Sequence, residues 1–200
     1  MALNLARVII TVTAFVIIGL VIIIILQNRA IETFSMIVDR NTTLTGTVTK
    51  TIPDISARKC GDECANTPSC IAANVGSGNK GCWLKSTIGQ KITDPYMASL
   101  RFPCELYDKK DFKGKGVGLD VGKYTLADLK KKGYIDKSLS SFKMRDGYKI
   151  TLYDKDAFGG LSAEFKTSQP DLHVVIRDKK GHQNLRWIDA VSSVEIKKMY

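Results

Sequence analysis

Five cysteines, at positions 60, 64, 70, 82 and 104, are the residues of this 200-residue chain best suited to covalent or metal chemistry. Thiols in an oxidising compartment pair into disulfides and staple a small core. Thiols kept reduced bind zinc, and the ligands would then be Cys60-x3-Cys64-x5-Cys70-x11-Cys82. Zinc knuckles use paired C-x-x-C spacings, which this chain lacks, so disulfides are the expectation. Cys104 is left over, either buried and inert or bridging to another chain. Asn41-Thr42-Thr43 is an acceptor triplet for glycosylation, consistent with the same compartment.

Signals for catalysis are poor. The two histidines, His173 and His182, stand in no metal-ligand or triad spacing, and there is no nucleophile elbow, phosphate loop or metalloprotease helix. Asp108 with Asp111, and Asp154 with Asp156, are paired carboxylates, but each pair falls in a turn where solvent-facing duty explains it. A non-enzymatic protein is expected.

The elements that would position these residues begin with an anchor. Residues 8–26, VIITVTAFVIIGLVIIIIL, hold no charge and no proline. At about 1.5 Å per residue they reach roughly 28 Å, close to the thickness of a bilayer's hydrocarbon core. An uncleaved transmembrane helix in contact with membrane lipid is expected, because Gln27-Asn28-Arg29 is a poor cleavage site. Flanking charge barely sets orientation, so the cysteines place the C-terminal part on the extracytoplasmic or capsid-facing side. The expected order is a tail at 1–7, the anchor at 8–26, a connector at 27–47, a disulfide module at 48–102 and a last domain at 103–200. In the module, Asp54 is expected to cap a short helix through Ala65 that carries Cys60 and Cys64 on one face. Strands at Cys70–Val75 and from Cys82 would follow, giving a helix on a hairpin.

The stretch KCGDECANTPSCIAANVGSGNKGCWLKS, residues 59–86, resembles the PAN/apple family. The resemblance implies nested bridges, Cys60 to Cys82 and Cys64 to Cys70. It also implies binding of proteins or carbohydrates, without specifying ligand residues.

Residues 103–200 repeat themselves. Leu106-Tyr107-Asp108-Lys109-Lys110-Asp111-Phe112-Lys113-Gly114 aligns with Leu152-Tyr153-Asp154-Lys155-Asp156-Ala157-Phe158-Gly159-Gly160, and each unit closes on a serine pair, Ser140-Ser141 or Ser192-Ser193. Short strands separated by turns are expected, with one helical turn near Leu126–Lys132. The aromatic, spacer, aromatic, x, Gly hairpin and the closing serines resemble the βγ-crystallin family. That implies two Greek keys in one β-sandwich, and a mainly β fold for the exposed part. Family members bind calcium through two Asn/Asp, two spacers, then Ser/Thr and Ser. Here Lys137 and Ile188 replace one acid in each pattern, leaving Asp136, Ser140, Asp189 and Ser192 as a depleted calcium set. The serines are expected to serve first as hydrogen-bonding corners, and no other cofactor is implied.

The formal net charge is +10. Clustered lysines suit an acidic protein or glycan surface. Nucleic acid is disfavoured, since arginines are few and the aromatics are committed to the hairpins. The expected role is a membrane-anchored structural protein tethering a bilayer to neighbouring structural proteins, as a minor capsid or membrane-associated virion component of a large DNA virus would. The alternatives are a cell-surface adhesion receptor for glycans or proteins, and a weak calcium-binding module.

Overall fold

The structure, a computed structural model, describes residues 36–178 and 185–200. The tail, the expected membrane span at 8–26 and the first part of the connector lie outside the described residues. Among the described residues no helix is long and apolar enough to cross a membrane.

The first half builds a five-stranded antiparallel sheet from β1 (Ile37–Leu44), β2 (Val48–Ile52), β3 (Ala72–Gly76), β4 (Cys82–Lys85) and β5 (Lys91–Arg101), in the order β1-β5-β3-β4-β2. The connector expected through residue 47 therefore needs correction. Ile37–Leu44 is a sheet strand, paired along its length with β5 and interrupted by one irregularity between Arg40 and Thr42. Val38, Arg40 and Asn41 are exposed while Asp39, Thr42 and Thr43 are half-buried, so the strand lacks the apolar-in, polar-out alternation that would announce it. Helix α1 (Ala57–Asn66) lies on this sheet with Cys60, Gly61 and Cys64 buried. Its N-cap is Ser56, whose hydroxyl accepts from Lys59 N at 3.4 Å, not the expected Asp54. Asp54 instead sits at φ 47° in the preceding turn.

The second half holds β6 (Cys104–Lys109), β7 (Lys113–Leu119), β8 (Gly122–Tyr124), α2 (Leu126–Lys131), β9 (Ser141–Met144), β10 (Tyr148–Tyr153), β11 (Ser162–Phe165), β12 (Ile176–Asp178), β13 (Leu185–Arg186) and β14 (Ser193–Lys198). Two sheets form, β7-β6-β9 and β11-β10-β14-β8, with β12 and β13 paired separately. Strand β8 of the first repeat crosses to pair with β14 of the second. In return, Gln169 of the second repeat bridges Phe142 of β9 in the first. Alternation along the strands turns Leu106, Phe142, Ile150, Leu152, Val194 and Ile196 inward, where they pack with Trp187 in one core. Helix α2 is closed at its start by a reciprocal capping box between Thr125 and Asp128.

Candidate functional site

The cysteines converge on one side of the first sheet. Cys60 is bonded to Cys82 and Cys64 to Cys70, joining α1 to the start of β4 and to the residue leading into β3. Cys104 is a free thiol buried at the start of β6, and burial beside Glu105 pushes its pKa above the ordinary thiol value. A thiol so protonated and inaccessible is inert. Asn41 is exposed at the irregularity of β1, with φ 56°.

The two repeated hairpins superimpose in their chemistry. Tyr107 and Phe112 meet edge-on at 6.2 Å between ring centres, and Tyr153 and Phe158 at 5.6 Å. Asp108 accepts from Lys115 N at 2.7 Å, and Asp154 from Leu161 N at 2.8 Å, so these carboxylates close turns. Each hairpin is pinned by a serine of the closing strand. Ser141 Oγ donates to Lys109 O and accepts from Phe112 N, and Ser193 Oγ does the same with Lys155 O and Phe158 N.

Of the depleted calcium set, Asp136 and Ser192 are brought together. Ser192 Oγ donates to Asp136 Oδ1 at 2.9 Å across the two repeats. Ser140 Oγ donates to the carbonyl of Asp108 at 3.0 Å. Asp189 N donates to Leu139 O, and Lys137 N to Val191 O, so the two patterns lace the repeats to each other through backbone. Among the described residues no three His, Cys, Asp or Glu side chains gather as metal ligands.

A feature the motif reading missed is the seam between the halves. Strand β7 reads Lys113-Gly114-Lys115-Gly116-Val117-Gly118-Leu119, and its alternate glycines share one face. A Cβ on Gly116 would lie 2.8 Å from the Ile71 side chain, and one on Gly118 would collide with the Phe102 ring. The glycines thus let the first half lie directly on the outer face of the second half's sheet. The sequence signal was the alternation itself, without a partner to give it meaning.

Residues 35–112 match the PAN domain family model. The match begins at the foot of β1 and extends past residue 102 into the first hairpin, wider than the expected 48–102. A curated relative, Development-specific protein S of Myxococcus xanthus, is 36% identical over 67 residues, covering 34% of this chain and 39% of the relative. The chain therefore matches well under two thirds of that relative's length. Among solved structures, the N-terminal domain of protein S is 28% identical with a TM-score of 0.40, covering 48% of this chain and 94% of that one. A βγ-crystallin domain from Flavobacterium johnsoniae is 28% identical with a TM-score of 0.41, again covering 48% and 94%. The chain thus matches the PAN domain family over residues 35–112 and has a likeness to βγ-crystallin domains over about half its length.

At the seam the PAN module and the crystallin-like module share buried charge. Arg101 grips Glu105 with Nη2 at 2.6 and 2.9 Å and Nε at 3.0 Å, and the two side chains are only 14% and 2% exposed. Tyr107 Oη donates to the same carboxylate at 2.7 Å, and burial together with Glu105 raises its pKa. Asp39 of β1 binds Lys91 at 3.1 Å and Arg145 of the crystallin-like module at 3.2 Å. Arg145 Nε is buried without an acceptor. On the other side, Lys132 Nζ donates to Ala65 O at the end of α1 at 2.8 Å, and burial lowers its pKa. A cation there also suits the negative end of the helix dipole.

Proposed function

We propose that the chain is a non-catalytic, membrane-anchored binding protein whose two modules form one stiff head. The observation that carries this reading is the seam. Apolar contact at Ile71 and Phe102 is reinforced by the ion pair of Arg145 with Asp39 and a capped helix end at Lys132. Such a joint resists hinging, so a partner held by either module is held at a fixed place relative to the other. The uncharged run at 8–26 supplies the anchor, and the PAN match supports a binding role. Two disulfides favour an oxidising side of the bilayer or a particle interior built from it. The setting we favour is the virion of a large DNA virus with an internal membrane, with the protein as a minor capsid or membrane-associated component.

The test is alkaline extraction and protease protection of the full chain in membranes, followed by crosslinking mass spectrometry on the native membrane or particle. The full chain is expected to stay with the membrane, and crosslinks from the head to name a neighbouring structural protein. Release of the full chain by alkali removes the anchor. A second reading, a cell-surface adhesion receptor, is favoured by the exposed lysines, such as Lys109, Lys113 and Lys115, that have no acidic partner among the described residues. Crosslinks confined to an extracellular ligand would select it.

A further inference from the structure

The lysines of the first hairpin are surplus to its fold. The second hairpin makes the same aromatic clasp, the same aspartate turn and the same serine pin with Asp156, Gly159 and Leu161 where the first has Lys110, Lys113 and Lys115. Residues 109–115 carry four lysines and one aspartate, against one lysine and one aspartate in residues 155–161. Lys109, Lys113 and Lys115 are exposed, and among the described residues only Lys110 of the four has an acidic partner, Asp171 at 2.9 Å.

Lys143 connects this tip to the seam. Its Nζ stands 5.0 Å from the centre of the Phe112 ring, and the same side chain lines a cleft of about 210 Å³ with Arg145, Ser168 and the Arg101–Glu105 pair, whose carboxylate Arg101 neutralises. Arg145, whose Nη2 holds Asp39 at 3.2 Å, presents its guanidinium at the edge of that cleft. A cavity of about 150 Å³ accepts a benzene ring, so the cleft suits one six-membered ring.

We propose that Arg145 and Lys143 at the cleft, continued by Lys109, Lys113 and Lys115 at the hairpin, bind a linear acidic polysaccharide. One ring with its acid group enters the cleft, and successive acid groups run along the lysines. The inference rests on the reading of the chain as a binding head and names the class of one partner. Lysine offers compact, strongly hydrated charge that meets sulfate or carboxylate without a planar fork. Lys143 stands over one face of Phe112 and Tyr107 meets the ring edge-on, so the ring is engaged within the fold and not set out as a platform for a stacked base. No large exposed apolar side chain falls within 109–115, so the tip has nothing to bury in a bilayer.

The test uses the full chain in detergent micelles and heparin as the probe, with affinity measured over a series of salt concentrations. A K113Q/K115Q/K143Q variant is expected to lose roughly tenfold or more in affinity, with its salt dependence flattened by about two to three in log–log slope. A K166Q/K197Q/K198Q variant removes the same charge from the other sheet and is expected to bind within about threefold of the native chain. Unchanged melting temperatures establish that both variants fold. Equal losses in the two variants would reduce the effect to net charge and overturn the site. Absence of heparin binding, or tighter binding to polyglutamate, overturns the ligand class. Membrane extraction and crosslinking read the tether independently, so either proposal can fail alone.

Discussion

The ring of Phe102 occupies the space that a Cβ on Gly118 would fill. Gly118 does not adopt a left-handed backbone, so the constraint is contact with the ring and not torsion. Gly118→Ala is therefore expected to force the modules apart at constant local conformation, costing about 1–3 kcal/mol as overpacking does. Urea unfolding of the variant checks this. A second substitution, Phe102→Leu, should recover part of the loss by vacating the space, and failure to recover it would refute the contact as the cause.

Asp39 ties β1 to Arg145 and Lys91, and its pKa has a direction that can be read in stability. Burial raises it, but the hydrogen bond from Lys91 and the charge of Arg145 outweigh burial, holding the carboxyl below the ordinary 3.8. The folded state thus prefers the ionised form. Its contribution is fully present above the ordinary value and is lost as pH falls through the lower folded one. Asp39→Asn should flatten that part of the acid limb when urea midpoints are measured against pH. An unchanged slope would show that Asp39 is not coupled to folding.

The two bridges close loops of different length, 22 and 6 residues in sequence separation. In the chain-entropy account the longer is worth about 3 kcal/mol and the shorter about 2 kcal/mol. Cys60→Ala with Cys82→Ala should accordingly destabilise the PAN module more than Cys64→Ala with Cys70→Ala. Hydrogen exchange resolved by segment provides the comparison. The reverse order would mean that packing at the vacated sites outweighs loop closure.

Local features were readable from sequence because the groups that make them are near in the chain. Tyr107, Phe112 and Gly114 fold one hairpin, and Cys60 and Cys64 share one helix face. Long-range features were not. Arg145 lies 106 positions from Asp39, and nothing in either neighbourhood announces the pair. Gly116 and Gly118 carry a visible alternation, but the residues that need them small are Ile71 and Phe102. Strand β1 was hidden for another reason: the side chains it half-buries include Asp39, Thr42 and Thr43, held by polar contacts such as Thr42 with Ser99, so no apolar alternation marks it.

The serine corners offer the sharpest test of how the two replaced acids bear on calcium binding. Asp136 already meets Ser192 across the repeats, so half of a site is assembled. The neighbouring Lys137 sits at φ 55°, a left-handed position that Asp or Asn tolerates better than lysine. Replacing it by aspartate changes the local charge by two units and removes a cation that repels calcium. Lys137→Asp with Ile188→Asn should therefore give calcium-dependent stabilisation larger than that of the native chain. With calcium at about ten times its dissociation constant the gain is about 1.4 kcal/mol. For a chain of this size that amounts to a rise in melting temperature of roughly 3–6 °C. Calorimetric melting with calcium and with chelator measures it. A variant that melts identically in both would show that the missing oxygens, and not Lys137 and Ile188, keep the ion out.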